Sequence, residues 1–136
     1  MVSKKILVID DNPKVCETML VLLESIGMKA FAATSSLEGI TKAYDIEPDL
    51  ILLDILLPDF SGWAVLDQLR ADPIMSHTPV AVFSALVDSA AHLREGQQLI
   101  DGYLPKPFKM HELRGLITRT TTRSPRGTSS LESICS

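Results

Sequence analysis

Cysteine, histidine and aromatic residues are scarce in this chain. Its 136 residues include two cysteines, three histidines and 5% aromatic residues. Cys16 falls within a predicted helix and Cys135 is almost the last residue, so the pair offers no disulfide framework and fits a reducing cytoplasm. The histidines are scattered and lack the spacing of a zinc site, standing at His77, His92 and His111. Disulfide scaffolds and zinc sites are therefore excluded.

The chain also lacks a strong charge imbalance and a long apolar run. Its formal net charge of −4 favours neither nucleic acid nor an anionic membrane as a direct partner. The longest apolar run, 50–57, carries Asp54 in its middle and ends at Pro58, which excludes a transmembrane helix. An apolar share of 46% beside a charged share of 22% is typical of one globular domain. We expect a cytoplasmic protein.

Short apolar runs alternate with helical patterns along the chain. The runs predict strands at 5–9, 28–33, 49–53, 79–83 and 102–104. Five helices are predicted, one after each strand, and the fourth is expected at 88–98. Parallel strands need crossover connections, so the expected fold class is α/β, a doubly wound parallel sheet with helices on both faces.

Apolar side chains at helical spacing indicate which face of each helix lies on the sheet. The second helix opens at Ser35 or Ser36. Its core-facing residues are predicted to be Leu37, Ile40 and Tyr44.

The composition changes near Thr120. Threonine, serine, arginine, glycine and proline dominate from there, and such a segment buries too little apolar area to offset its ordering entropy. The expected organisation is a domain over 1–119 followed by a disordered tail over 120–136.

Four of the predicted strands end in polar or charged residues. The first strand ends in Asp10 and Asp11, the third in Asp54, the fourth in Ser84 and the fifth near Lys106. Ligands of doubly wound sheets bind outside the carboxyl ends of the strands. Three neighbouring carboxylates stay ionised only if a cation lies among them, and oxygen ligands favour Mg²⁺, which Mn²⁺ could replace in vitro.

These groups suit phosphoryl transfer. Asp54 would attack in line while the cation and Lys106 neutralise the phosphoryl oxygens. Ser84 would donate a hydrogen bond to the bound phosphoryl group. The residues therefore predict a protein that is phosphorylated on an aspartate.

Four motifs make the chain resemble response-regulator receiver domains. They are Ile-Leu-Val-Ile-Asp-Asp at 6–11, Pro-Asp-Leu-Ile-Leu-Leu-Asp at 48–54, Leu-Pro-Asp-Phe-Ser-Gly at 57–62 and Leu-Pro-Lys-Pro-Phe at 104–108. The resemblance implies a flavodoxin-like sheet in the order 2-1-3-4-5. It also implies a signalling domain, not an enzyme with an external substrate, that takes its phosphoryl group from a phosphohistidine of a histidine kinase or phosphotransfer protein.

The resemblance also assigns roles to residues of the metal site. It implies that Asp54 is the phosphoacceptor and that Asp11 binds Mg²⁺ directly. Asp10 would act through water, and the backbone carbonyl of Leu56 would be a further ligand.

Other roles implied by the resemblance concern the switch. Lys106 would contact the phosphoryl group and precede a cis peptide bond to Pro107. Ser84 and Tyr103 match the hydroxyl and aromatic positions that move on phosphorylation. The downstream target would bind the face formed by the fourth helix, fifth strand and fifth helix, and the domain would be a monomer or a phosphorylation-dependent dimer.

Two leucines bear on the lifetime of the phosphoryl group. Leu56 and Leu86 stand two residues after Asp54 and Ser84, where side chains commonly flank the hydrolytic water in this family. Neither side chain can orient water, so we expect slow self-dephosphorylation.

Three other functions remain open from the sequence. A small phosphohydrolase would use Asp54 as a turnover nucleophile, but would need an acid where Leu56 stands. A flavin mononucleotide binder would need a phosphate cradle where Asp10 and Asp11 stand. An interaction module without chemistry could keep the same fold.

Overall fold

A five-stranded parallel sheet organises the part of the chain that the computed structural model describes, residues 3–57, 59, 61–85 and 100–122. The strands are β1 (Lys5–Ile9), β2 (Lys29–Ala33), β3 (Leu50–Leu53), β4 (Val80–Ser84) and β5 (Gly102–Pro105). Their order is β2-β1-β3-β4-β5, and all four neighbouring pairs are parallel. The predicted fold class and strand order are thereby confirmed.

The described residues contain four helices. They are α1 (Pro13–Ser25), α2 (Ser36–Ile46), α3 (Gly62–Ala71) and α4 (Met110–Thr122). The helix predicted at 88–98 lies outside the described residues, so the helix predicted as the fifth is labelled α4. None of the described helices has the length and apolar content needed to cross a bilayer.

Side-chain caps start the first three helices. Asn12 accepts a hydrogen bond from the N–H of Lys14, and Ser35 accepts one from the N–H of Glu38. Ser61 caps α3 in the same way. Each cap satisfies one of the backbone donors that a helix leaves unpaired at its start, which explains where these helices begin.

Two apolar layers cover the two faces of the sheet. Along β1, Ile6 and Val8 pack in a cluster with α1 and α4, while Leu7 and Ile9 pack in a second cluster with α2 and α3. Because both faces are covered, the strand is apolar at successive positions and does not alternate with polar residues. The edge at the carboxyl ends of the strands is left as the place for polar groups.

The buried face of α2 differs from the predicted one. Ile40 is buried as expected, but Leu37 is 69% exposed and Tyr44 is also exposed. The helix instead packs on the sheet through the face that carries its small residues. A Cβ added to Gly39 would lie 2.6 Å from Cδ1 of Ile9. The buried residues of α2 are Ser36, Gly39, Ile40 and Ala43. Small side chains thus let α2 approach β1 closely, and the larger ones point outward.

The end of α4 corrects the expected start of the tail. The helix continues to Thr122, past the boundary predicted at residue 119. Thr120 is buried, and its hydroxyl donates to the carbonyl of Leu116 at 2.8 Å. A threonine hydroxyl can donate a hydrogen bond to the carbonyl one turn earlier in the helix. A segment rich in threonine therefore need not end the helix here. The rest of the predicted tail, 123–136, lies outside the described residues.

Gly62 allows α3 to start directly against the end of β3. A Cβ at this position would lie 2.3 Å from the carbonyl oxygen of Asp54 and 2.6 Å from Cα of Ile55. Both are backbone atoms, which cannot rotate away as a side chain could. The position therefore requires glycine, and it fixes the chain beside Asp54.

We predict that Gly62→Ala lowers the free energy of unfolding by about 1–3 kcal/mol, because the new methyl group overpacks against backbone. Gly115→Ala is the matched control, since its Cβ would meet only the mobile Nη1 of Arg119, at 3.3 Å. Alanine in the interior of α4 should stabilise by up to about 1 kcal/mol. Urea unfolding followed by circular dichroism measures both changes. Equal stability of Gly62→Ala and the wild type would contradict the close approach.

Candidate functional site

The carboxyl ends of β1, β3 and β5 bring acids and a lysine together. Asp10, Asp11 and Asp54 each offer a carboxylate oxygen, and these oxygens lie within 4.8 Å of one another. Nζ of Lys106 lies 3.2 Å from Oδ2 of Asp54 and also donates to Oδ2 of Asp10. The groups meet because parallel strands end at the same edge of a sheet. This is the cluster that the sequence predicts.

Backbone hydrogen bonds fix the two buried carboxylates. The N–H of Asp10 donates to the carbonyl of Ala33 at 3.0 Å, and the N–H of Asp54 donates to that of Ile9 at 2.9 Å. Oδ1 of Asp10 accepts from the N–H of Asn12, and Oδ1 of Asp54 accepts from the N–H of Leu56, both at 2.9 Å. The strands thus set the position of each carboxylate, and the following turns set its orientation.

The site is short of positive charge. The side chain of Asp10 is 1% exposed, that of Asp54 is 8% exposed and that of Lys106 is 20% exposed. Burial raises the pKa of Asp54, and the Leu56 N–H and the Lys106 ammonium oppose this rise. One ammonium cannot neutralise three carboxylates, and uncompensated buried charge is costly. The all-oxygen donor set therefore fits a hard divalent cation such as Mg²⁺.

The loop after β3 is tied to the start of α2 by Asp59. Its Oδ1 accepts from the N–H of Ser36 at 3.0 Å, and its Oδ2 accepts from the N–H of Leu37 at 3.2 Å. Desolvation opposes ionisation, but these hydrogen bonds prevail and lower the pKa of Asp59 to about 2. Leu56, in the same loop, has 56% of its surface exposed. The assignment of its carbonyl as a metal ligand stays a prediction.

Ser84 and Tyr103 meet through a backbone carbonyl. Ser84 is buried at the end of β4, where it is aligned with Pro105 of β5. Its carbonyl accepts from the N–H of Lys106 at 3.1 Å and from the hydroxyl of Tyr103 at 3.2 Å. Burial raises the pKa of Tyr103. Both predicted switch residues thus lie next to Lys106, while their movement stays a prediction.

The chain around Lys106 has a cis peptide bond and an aromatic contact, and sequence reasoning missed the second. The Lys106–Pro107 peptide bond is cis, the isomer that the resemblance implied. The aromatic ring of Phe83 lies under the ammonium, with its centroid 4.4 Å from Nζ. The signal for this contact was an aromatic residue directly before Ser84, which the pattern assigned only to the strand core.

The one cysteine among the described residues has no chemical role that the structure supports. Cys16 is buried, and its Sγ donates to the carbonyl of Asp10 at 3.3 Å. Burial above all raises the pKa of this thiol to about 11, so it stays protonated and unreactive at neutral pH. Leu86 lies outside the described residues.

Comparison with known families and sequences gives one consistent result. The profile of the response regulator receiver domain matches residues 6–118. The DNA-binding dual master transcriptional regulator RpaA from Synechocystis sp. is 33% identical over 120 residues, which are 85% of this chain and 50% of that protein. The chain thus spans about half the length of the curated relatives it matches.

Solved structures agree with this result. The receiver domain of the sensor histidine kinase PA1611 from Pseudomonas aeruginosa, determined with a magnesium ion in its active-site cleft, is 26% identical with a TM-score of 0.81. It covers 90% of this chain and 100% of its own. A response regulator receiver domain protein from Clostridium thermocellum is 27% identical with a TM-score of 0.80, covering 88% of this chain and 95% of its own.

The raised pKa of Asp54 predicts that its charge destabilises the protein when no divalent cation is present. The folded state holds this proton more tightly than the unfolded state, so stability falls as the pH rises above the ordinary range of aspartate. At pH 7 in EDTA, Asp54→Asn should therefore melt on the order of a few °C above the wild type. Mg²⁺ should raise the melting temperature of the wild type more than that of the variant.

Thermal unfolding with and without Mg²⁺ measures both effects. Asp67→Asn is the matched control, because this exposed carboxylate on α3 lies outside the cluster. A melting temperature of Asp54→Asn below that of the wild type in EDTA would mean that attraction to Lys106 outweighs desolvation.

Proposed function

Because this chain belongs to the response-regulator receiver domain family, we propose that it accepts a phosphoryl group on the carboxylate of Asp54. The donor is a phosphohistidine of a histidine kinase or of a phosphotransfer protein. The observation that carries the proposal is the meeting of Asp10, Asp11, Asp54 and Lys106 at one edge of the sheet. These are the groups that a transferred phosphoryl needs for attack and for charge neutralisation.

In the proposed reaction, a carboxylate oxygen of Asp54 forms a bond to phosphorus. The bond between phosphorus and the histidine nitrogen breaks, and the imidazole leaves with the electron pair. Leu56 orients the attacking carboxylate through its N–H, and Lys106 neutralises charge on the phosphoryl oxygens. Asp11 and Asp54 would hold Mg²⁺, with Asp10 acting through water, and the ion would supply further positive charge.

The phosphorylated state differs from the free state mainly in charge. A phosphoryl group carries nearly two negative charges at neutral pH, so it competes with Asp10 for the ammonium of Lys106. The hydroxyl of Ser84 donates a hydrogen bond to the group. Tyr103, which is hydrogen-bonded to the Ser84 carbonyl, then changes its packing on β5. We propose that this change is read by a downstream protein.

The partner surface is proposed to be formed by β5, α4 and the segment that precedes β5. The net charge of −4 favours a protein partner over direct contact with nucleic acid or a membrane. The buried free thiol of Cys16 fits a reducing cytoplasm. The domain acts as a monomer or as a dimer that forms on phosphorylation.

The direct test is incubation with acetyl phosphate and Mg²⁺ followed by intact-protein mass spectrometry. We expect the wild type to gain the mass of one phosphoryl group, and Asp54→Asn to gain none because it lacks the nucleophile. EDTA should abolish the gain in the wild type. Asp67→Asn, on the exposed face of α3, should be modified like the wild type. Equal modification of Asp54→Asn and the wild type would refute the assignment.

The lifetime of the phosphoryl group is the second test. Leu56 is exposed beside Asp54 and carries no group that could orient water, so loss of the group should be slow. Leu56→Asn should shorten the half-life roughly tenfold, whereas Leu56→Met should preserve it. The decay is followed by mass spectrometry after the donor is removed.

Two outcomes would contradict the slow decay. One is equal decay of Leu56→Asn and the wild type. The other is sustained release of phosphate from excess acetyl phosphate by the wild type, which would favour the phosphohydrolase alternative.

A further inference from the structure

The ammonium of Lys106 has an aromatic neighbour besides its two carboxylates. The ring of Phe83 lies with its centroid 4.4 Å from Nζ. A cation within about 6 Å of a ring centroid, over the face of the ring, is attracted by the negative face of the π system. Phe83 is buried in β4, where this attraction is weakly screened by water.

Phe83 is itself held firmly. It stands near the carboxyl end of β4, directly before Ser84, and packs in the apolar cluster beneath α1 and α4. Its ring makes an edge contact with Phe108, with 5.9 Å between centroids and 68° between planes. Lys106 and Phe108, two residues apart, therefore touch the same ring. The packed ring therefore supports the ammonium of Lys106.

The space beside this support is apolar. A cavity of about 460 Å³ lies between α1 and the segment after β5, and both Phe83 and Lys106 line it. Val15, Met19 and Leu22 form much of its α1 side. On this side, the described residues that line the cavity offer the ammonium no carboxylate. Among the described residues that line this cavity, Phe83 is the one whose ring contacts the ammonium.

We propose that Phe83 is a positioning residue for Lys106 in the phosphorylation of Asp54, an inference that rests on the proposed function. Attraction to the ring needs no anionic acceptor. It therefore holds the ammonium at the site without adding negative charge where a phosphoryl group must enter. A lysine side chain loses rotamer entropy when it is fixed. Holding it beforehand removes part of that cost from the reaction.

The test reduces the negative potential at the face of the Phe83 ring while keeping the shape of the side chain. Phe83 is replaced by monofluoro- and trifluorophenylalanine, which withdraw electron density from the π system with little change in volume. The rate of phosphorylation by acetyl phosphate at saturating Mg²⁺ should fall stepwise, by roughly two- to fivefold in total. The melting temperature should fall only slightly, because the same attraction also stabilises the folded state. The same substitutions at Phe31 are the control, because this residue of β2 packs on the opposite face of the sheet.

Ordinary variants give an independent readout. Phe83→Leu removes the ring face and should slow phosphorylation, while Phe83→Tyr keeps the face and should restore the rate. The ring also shields the methylene protons next to Nζ of Lys106. Their NMR signal should therefore move downfield in Phe83→Leu and return in Phe83→Tyr. If Phe83→Leu does not fold, the fluorinated series alone decides.

The outcomes separate this inference from the proposed function. If the wild type gains no phosphoryl group on Asp54, the proposed function fails, and the inference fails with it. If the wild type is phosphorylated at a rate that fluorination of Phe83 leaves unchanged, only the role of Phe83 is refuted. An equal loss of rate on fluorination of Phe31 would also refute it, because the effect would then be one of general packing.

Discussion

The structure depends on holding negative charge at the edge of an apolar sheet. Asp10 and Asp54 follow strands that are buried on both faces, so their carboxylates lie where ionisation is costly. Lys106 compensates part of this charge, and Asp11 adds to it. The negative charge that Lys106 does not compensate favours the binding of a cation. With the cation bound, the site becomes receptive to a doubly charged phosphoryl group. Under the proposed function, this unfavourable charge in the free protein is the source of its affinity for both.

Such a site needs a rigid platform, because like charges would otherwise move apart. The central strands supply it, since both of their faces are covered. The loop after β3 is held by two independent contacts, the close approach of Gly62 to Asp54 and the hydrogen bonds from α2 to Asp59. Neither contact touches the charges directly. Together they keep Asp54 and Leu56 in place when the charge of the site changes.

The sequence predicted what depends on pattern and missed what depends on close packing. Apolar runs that end in polar residues locate Asp10, Asp54 and Lys106, because parallel strands must end at one edge. Periodicity could not show that Leu37 is exposed, since that follows from the closeness of α2 to β1 at Gly39. It also could not pair Arg70 with Asp101, a buried ion pair at 3.0 Å between residues 31 positions apart. Such partners are chosen by the folded chain.

Lys106 contacts both the charged groups of the site and the backbone carbonyl that binds Tyr103. Its ammonium contacts Asp10, Asp54 and the ring of Phe83, and its backbone N–H donates to the Ser84 carbonyl. Tyr103 donates to that same carbonyl. Under the proposed function, the negative charge added at Asp54 acts on Lys106. The backbone of Lys106 and the hydroxyl of Tyr103 share the Ser84 carbonyl as hydrogen-bond acceptor. A ligand shifts a two-state equilibrium only by its differential interaction with the two states. Here that difference arises where the ammonium of Lys106 changes its partner from a carboxylate to a phosphoryl group. A longer pathway through the core is not required.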